Sequence, residues 1–173
     1  MPRYVALLRG VSPMNCKMPD LQRSLEDAGF TDVKTLLSSG NVAFSTPRAA
    51  SAAALQKRVE KAMLDGMGHS FKTHIRSTAH LQQLLAADPF AAFRLRAGSK
   101  RVVTFLREPL AASPVKLPVT HGEACILGLD GGEVFCSYVP EAKGPVFMQL
   151  LEKTFGKDIT TRTWDTVRKC AAA

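Results

Sequence analysis

Six polar residues in three separate stretches of the sequence are suited to binding an anion. Two follow an apolar run near the N-terminus, two lie in a Ser-Ser-Gly-Asn turn, and two precede the start of the last predicted helix. Basic side chains, hydroxyl groups and the free backbone N–H groups of a turn or a helix N-terminus all donate hydrogen bonds to phosphate or carboxylate. The six residues of the predicted anion site are Arg9, Lys17, Ser39, Asn41, Thr161 and Arg162.

The same residues also have a purely structural interpretation. Arg9 and Arg162 would then pair with nearby carboxylates or backbone carbonyls. Asn41 would stabilise its turn and Thr163 would cap the last helix, because short polar side chains bond to neighbouring backbone groups at such places. The sequence leaves both interpretations open.

The net charge of +8 favours an anionic partner. Basic residues cluster within residues 94–107 and again within residues 153–169, and both clusters could contact a nucleic-acid backbone. The predicted strands lack the alternation of Lys, Gly and Phe that RNA-binding sheets show, and a solvated basic surface also explains the charge. Nucleic acid is therefore one candidate partner, beside an anionic small molecule.

No pattern in the sequence predicts a catalytic residue, a metal ion or a cofactor. The four histidines lack the spacing of a metal site, and the four cysteines form no C-x-x-C pair. We expect reduced thiols; Cys125 and Cys136 would face each other across a hairpin if Asp130-Gly131 were its two-residue loop. The best prediction is thus a binding protein, and the alternative is an enzyme acting on a phosphorylated or carboxylated metabolite in a cleft between two lobes.

The elements that would position these residues begin with an apolar run, Tyr4–Gly10. The run is too short for a helix and predicts a strand buried on both faces. A helix then begins near Pro19 and ends at Gly29, where Phe30 would pack back on Leu25 in a Schellman cap. A hairpin with strands at 32–37 and 42–45, a helix at 49–64 stopped by Gly66 and Gly68, a strand at 71–76 and a helix capped by Ser77 complete the order βαββαβ.

The second half of the chain predicts the same order again. Val102–Leu106 reads as a buried strand, Glu108–Ala111 opens a short helix that prolines cut off, and Asp130-Gly131-Gly132 marks a hairpin. A helix at 146–155, a strand at 159–162 and a helix capped by Thr163 follow.

The predicted fold class is α+β, with two ferredoxin-like (split βαβ) lobes in tandem, antiparallel sheets with helices on one face, and a C-terminal helix. The expected boundaries are residues 1–88 for the first lobe, 89–99 for a connecting segment and 100–173 for the second lobe with the final helix.

Five segments of the chain resemble one known family in their order and spacing. The sequence is similar to the domain-of-unknown-function family numbered 1697, and the resemblance implies two ferredoxin-like lobes in a bacterial cytosolic protein with no assigned activity. This chain differs from the commoner family pattern in its shorter loop 11–16, and in Gly144–Met148 at the opening of the penultimate helix. The segments that carry the resemblance are Tyr4–Gly10, Ala28–Thr35, Ser39–Val42, Val102–Leu106 and Thr160–Val167.

The location and assembly of the protein follow from simpler features. The first predicted strand starts so near Met1 that no signal sequence fits before it, so we expect a cytoplasmic protein. No apolar run approaches the length of a membrane span, and no membrane partner is expected. A homo-oligomer that pairs through an exposed sheet edge is a third interpretation, beside a binding protein and an enzyme.

Overall fold

The first strand, β1 (Arg3–Leu8), lies in the interior of a four-stranded antiparallel sheet. The structure is a computed structural model that describes residues 1–140 and 146–173. In it β1 pairs with β3 (Asn41–Ser45) on one side and with β4 (Thr73–Ser77) on the other, and Val5, Ala6 and Leu8 are almost fully shielded from solvent. The predicted strand buried on both faces is confirmed.

Contacts divide the described chain into two compact units. Unit 1 consists of residues Met1–Gln83 and Arg168–Ala173, and unit 2 consists of Leu84–Val167. The described residues contain two antiparallel sheets and five α-helices, so the α+β class is confirmed. Part of the predicted family difference, Gly144-Pro145, falls outside the described residues.

Unit 1 has the strand order β2-β3-β1-β4. One face of its sheet packs against two helices, with Tyr4, Ala6 and Leu8 of β1 turned toward them. Leu21 and Leu25 come from the first helix, and Leu55, Val59 and Met63 from the second. The elements of this unit are β1, α1 (Met18–Asp27), β2 (Thr31–Leu36), β3, α2 (Ala52–Met67) and β4, followed by α3 (Thr78–Ala87).

Helix α1 ends in the predicted Schellman cap. Gly29 has φ +95°, a conformation that glycine adopts without a steric penalty. The N–H of Phe30 donates to the carbonyl of Leu25 at 3.2 Å, and the N–H of Gly29 donates to that of Glu26 at 3.0 Å. This cap directs the chain into β2.

The prediction that Gly66 stops helix α2 is wrong. Gly66 lies inside α2, and the helix ends at Gly68, which has φ +81°. A Cβ atom on Gly66 would lie 2.7 Å from Cβ of Ser24 in α1 and 3.1 Å from its Cα. Gly66 therefore lets α1 and α2 approach each other, a requirement of tertiary packing that the sequence of one helix does not reveal.

Unit 2 has the strand order β6-β7-β8-β5-β9. On one sheet face, Val102, Ile126 and Cys136 belong to a core that includes Leu151 of the helix α4. On the other face, the centroid of the Phe90 ring lies 5.0 Å from that of the Trp164 ring and 5.9 Å from that of the Phe135 ring. The elements are a short 3₁₀ helix (Pro89–Ala92), β5 (Lys100–Leu106), β6 (Val119–His121), β7 (Ala124–Asp130), β8 (Glu133–Tyr138), α4 (Val146–Phe155), β9 (Ile159–Thr163) and α5 (Trp164–Ala171).

The helix predicted at Glu108–Ala111 is absent from the structure. Residues 107–118 form turns and irregular backbone between β5 and β6. Pro109, Pro114 and Pro118 each lack the N–H that a helix needs, and the N–H of Leu110 instead donates to the carbonyl of Gly131 at 2.9 Å. Proline density thus prevents a helix in this segment.

The two-residue loop of the β7–β8 hairpin lies one residue further along the chain than Asp130-Gly131. Asp130 pairs with Glu133, so the two-residue loop is Gly131-Gly132. A register shift between Ile126 and Gly128 then places Cys125 opposite Ser137 and Cys136 opposite Ile126. Because neighbouring residues of a strand face opposite ways, the two thiols point to different sheet faces, and all four cysteines are free. The condition for the two cysteines to face each other, an Asp130-Gly131 loop, is therefore not met.

Candidate anion-binding sites

One end of the unit 1 sheet gathers the loop after β1, the β2–β3 turn and the start of β4. The N–H of Leu8 donates to the carbonyl of Gly40 at 2.8 Å, and the N–H of Arg9 donates to that of Lys72 at 3.0 Å. Gly40 has φ +88°, and a Cβ atom there would lie 2.9 Å from the side chain of Val11. The turn can approach the loop this closely only because residue 40 is glycine.

The loop that leads from β1 to α1 is organised by its own hydrogen bonds. The amide of Asn15 accepts from the N–H of Ser12 and donates to the carbonyl of Gly10, both at 2.9 Å. Nε2 of His69 lies 3.0 Å from the carbonyl oxygen of Asn15 and joins the loop to the end of α2. The short loop therefore needs no ligand to hold its shape.

A cavity of about 410 Å³ opens between this loop and the end of α2. Its volume lies within the range of small-molecule sites. Lys17, the residue before the first turn of α1, is exposed and forms no ion pair or side-chain hydrogen bond with the described residues. The cavity is lined by Pro13, Met14, Asn15, Cys16, Lys17, Asp20, Gly66, Met67 and His69.

The thiol that lines this cavity is a poor nucleophile. Cys16 is buried, and burial, with a smaller contribution from the carboxylate of Asp20, raises the pKa of its thiol. A thiol is a nucleophile only as the thiolate, which a raised pKa disfavours. The cavity thus has a cationic mouth and a neutral thiol in its wall.

The six residues of the predicted anion site have different surroundings. Lys17 lines the cavity, whereas the buried side-chain amide of Asn41 donates to the Leu36 carbonyl and to the Ser39 hydroxyl, both at 3.0 Å. Ser39 and Asn41 are thus joined inside their turn, and partly buried Arg9 follows β1 at the same end of the sheet.

The other two residues lie in β9 of unit 2. The Thr161 hydroxyl is 2.8 Å from that of Thr104, its partner on β5. Arg162 is buried, and its Nη1 donates to the Thr160 hydroxyl at 2.6 Å and to the Thr161 carbonyl at 2.8 Å. Nη1 of Arg162 is therefore engaged by the protein itself.

A second cavity, of about 200 Å³, lies within unit 2. Arg94 and Arg96, which the sequence marks only as part of a basic cluster, come from the segment before β5. Cys125 and Ser137 join them through the register of β7 and β8, which a sequence pattern predicts only to within a residue. The cavity is lined by Arg94, Leu95, Arg96, Ser99, Thr120, Gly122, Glu123, Ala124, Cys125, Leu127 and Ser137.

Residues 1–140 and 146–173 contain no group of three His, Cys, Asp or Glu side chains that could hold a metal ion. Within the same residues, no helix has both the length and the apolar character needed to cross a membrane.

Comparisons with known proteins agree with the fold. The model of a family described as "Protein of unknown function (DUF1697)" matches residues 1–125. The solved structure of the conserved bacterial protein SP0830 from Streptococcus pneumoniae is similar, with a TM-score of 0.69 and 20% sequence identity over 99% of this chain and 97% of that chain. No curated protein matches.

Proposed function

Because this chain belongs to the DUF1697 family of proteins of unknown function, we propose a function from its own geometry: non-enzymatic binding of a small anionic ligand in the unit 1 cavity. The observation that carries the proposal is Lys17, an exposed cation without a partner among the described residues, at the edge of a cavity of about 410 Å³. The family match adds no activity to this argument.

The electrostatics of the cavity support an anion of low charge. Helix α1 begins at its edge, and the N-terminal end of a helix attracts negative charge. Lys17 supplies a full positive charge, while the carboxylate of Asp20 opposes an anion that carries several charges.

Binding is a better account of this cavity than thiol chemistry. The raised pKa of Cys16 keeps its thiol protonated near neutral pH, so the cavity lacks an activated sulfur nucleophile. An enzyme acting on a phosphorylated or carboxylated metabolite stays the alternative. Arg9 and Ser39, at the same end of the sheet, are proposed to support the ligand from outside the cavity lining.

The proposed fold is two ferredoxin-like lobes in tandem, within the boundaries 1–88, 89–99 and 100–173. The order β2-β3-β1-β4, with α1 and α2 as crossovers, supports it for the first lobe. The order β7-β8-β5-β9 is equivalent, with β6 added at the edge and irregular backbone in place of the first crossover helix. A cytoplasmic location is proposed with this fold.

The test is a thermal-shift and calorimetric screen with nucleotides, sugar phosphates, coenzyme A derivatives and short DNA and RNA, at low and high salt. Lys17→Gln should weaken a small-molecule ligand about tenfold or more, because a hydrogen bond to a charged group contributes about 1.5–3 kcal/mol. Lys57→Gln is the matched control, since Lys57 is exposed on α2 and has no side-chain partner among the described residues.

Three results would decide the matter. Equal loss of affinity in both variants would show a general charge effect and remove the cavity from the proposal. Binding only to polynucleotides, with affinity that falls steeply as salt rises, would support the nucleic-acid alternative. A small-molecule shift that persists in Lys17→Gln would place the ligand elsewhere.

A further inference from the structure

The unit 2 cavity has a floor formed by two neighbouring strands. Cys125 of β7 and Ser137 of β8 are register partners and therefore point to the same sheet face. That face is opposite the one that packs against α4, since Ile126 and Cys136 belong to the α4 core. The hydroxyl of Thr120, on β6, donates to Sγ of Cys125 at 3.5 Å.

Ser137 is a mostly buried residue whose hydroxyl forms no hydrogen bond with the described protein. The residue is only 6% exposed, and its side chain bonds to none of the residues 1–140 and 146–173. Buried polar groups are nearly always hydrogen-bonded, because an unsatisfied one loses its interaction with water. Because Ser137 lines the cavity, its hydroxyl keeps some contact with solvent there and is available to a ligand.

The charges around the cavity sum to a single positive charge. Arg96 pairs with Glu123, and this pair is neutral. Arg94 is exposed and forms neither an ion pair nor a side-chain hydrogen bond with any described residue. One uncompensated guanidinium matches one negative charge, and its planar N–H groups fit the two oxygens of a carboxylate.

Two leucines give the lining an apolar part, beside the polar residues Ser99 and Thr120, and the space is small. Leu95 and Leu127 line the cavity, and Leu127 is buried. A volume of about 200 Å³ is the liquid share of about six or seven water molecules. This space holds a head group and a short hydrocarbon tail.

We propose that this cavity is a second binding site, separate from that of unit 1, and that it binds a short monocarboxylate. Arg94 donates to the carboxylate oxygens, the Ser137 hydroxyl donates to one of them from the floor, and the tail contacts Leu95 and Leu127. The neutral Arg96–Glu123 pair sets the charge preference, because it leaves one guanidinium rather than two for the ligand.

Cys125 reports on occupancy of this cavity. It is partly exposed, whereas the other three cysteines are buried, so an alkylating reagent should modify it first. The experiment measures the rate of Cys125 alkylation by iodoacetamide, located by peptide mass spectrometry, against butyrate, its neutral analogue butyramide and inorganic phosphate. We expect butyrate to slow the reaction with a Kd of about 1 mM, as suits so small a ligand. Butyramide should give no protection.

The variants identify the groups that bind. Arg94→Gln should raise the butyrate Kd by about tenfold or more, and Ser137→Ala by about threefold to tenfold, because the ligand loses a charge-assisted hydrogen bond in each. Arg48→Gln is the matched control, since Arg48 is an exposed arginine of unit 1 outside the cavity. Circular dichroism confirms that each variant folds.

A further variant tests whether the net charge of the cavity sets the preference for a singly charged ligand. Glu123→Gln frees Arg96 and should improve protection by inorganic phosphate. The proposal is overturned if butyrate gives no protection at about 50 mM, if butyramide protects equally, or if folded Arg94→Gln is protected as well as the unmodified chain. Two results would overturn the monocarboxylate assignment. One is stronger protection of Cys125 by phosphate than by butyrate, and the other is a Glu123→Gln variant that phosphate protects no better than the unmodified chain.

Discussion

The cavities of units 1 and 2 differ in how their polar groups are satisfied. In unit 1, Asn15 and Ser12 close the loop with internal hydrogen bonds, and exposed Lys17 is the group left for a ligand. In unit 2, the hydroxyl of the mostly buried Ser137 and the exposed Arg94 guanidinium both lack partners among the described residues.

This difference predicts different kinds of binding. A ligand beside Lys17 gains mainly from charge, which salt screens at an exposed position. A ligand in the unit 2 cavity also accepts a hydrogen bond from the Ser137 hydroxyl at a mostly buried position, where salt screens less. A cation together with an unpartnered hydroxyl on the floor of the same cavity is thus a more specific sign of a ligand than an exposed cation alone.

The largest expected effect is the loss of stability in Trp164→Ala, a substitution in the core of unit 2. Trp164 is buried in unit 2, and its ring contacts that of Phe90 at a centroid distance of 5.0 Å. Removing so large a buried side chain should lower the free energy of unfolding by about 3–5 kcal/mol. Urea unfolding measures the loss, and a loss below about 1 kcal/mol would contradict a core role for Trp164.

A smaller loss, in unit 1, is expected from Gly40→Ala. The substitution places a Cβ at φ +88° and 2.9 Å from Val11, so it combines backbone strain with overpacking. We expect a loss of about 2–4 kcal/mol in the free energy of unfolding, together with weaker ligand binding in the unit 1 cavity.

Gly98→Ala is the matched control for Gly40→Ala. Gly98 has φ +80°, but nothing lies within 4 Å of its added Cβ. It should therefore show only the backbone cost, about 1–2 kcal/mol. Equal losses in the two variants, measured by urea unfolding, would mean that the approach of the turn to Val11 is unimportant.

The smallest expected effect concerns the Cys136 thiol in the core of unit 2. Burial is the main cause that raises the pKa of Cys136, and the nearby Cys125 thiol adds to it, although a hydrogen bond with Thr104 acts the other way. The folded protein therefore keeps this proton where the unfolded chain, with an ordinary thiol pKa of 9.0, releases it. The stabilisation is complete below pH 9 and is lost as the pH rises above 9, by at most about 1.4 kcal/mol per pH unit.

The comparison of the unmodified chain with Cys136→Ala isolates this effect from the lysines and tyrosines that titrate in the same range. Urea unfolding at pH 8, 9 and 10 should show a steeper loss of stability in the unmodified chain. Parallel curves for the two proteins would show that the thiol titrates alike in both states.

Part of the candidate chemistry was recognisable without a structure. Lys17 and the loop that carries it were named from the basic residues after β1, and Lys17 lines a cavity. The sequence leaves the roles of Asn41 and Arg162 open between ligand binding and structure, because one side chain can serve either purpose and only its neighbours decide. Ser137 gave no signal, since a serine in a strand is ordinary until its register and burial are known.

The sequence by itself determined the elements whose causes lie within a few residues. The apolar run of β1, the Gly29 cap of α1 and the Thr163 cap of α5 depend on local conformation and hydrogen bonding, and all three were predicted. Tertiary structure alone decided the role of Gly66, which the approach of Ser24 requires, and the partners of Cys125, which a one-residue difference in register changed. These features depend on atoms that are close in space but distant along the chain, and a local pattern carries no information about them.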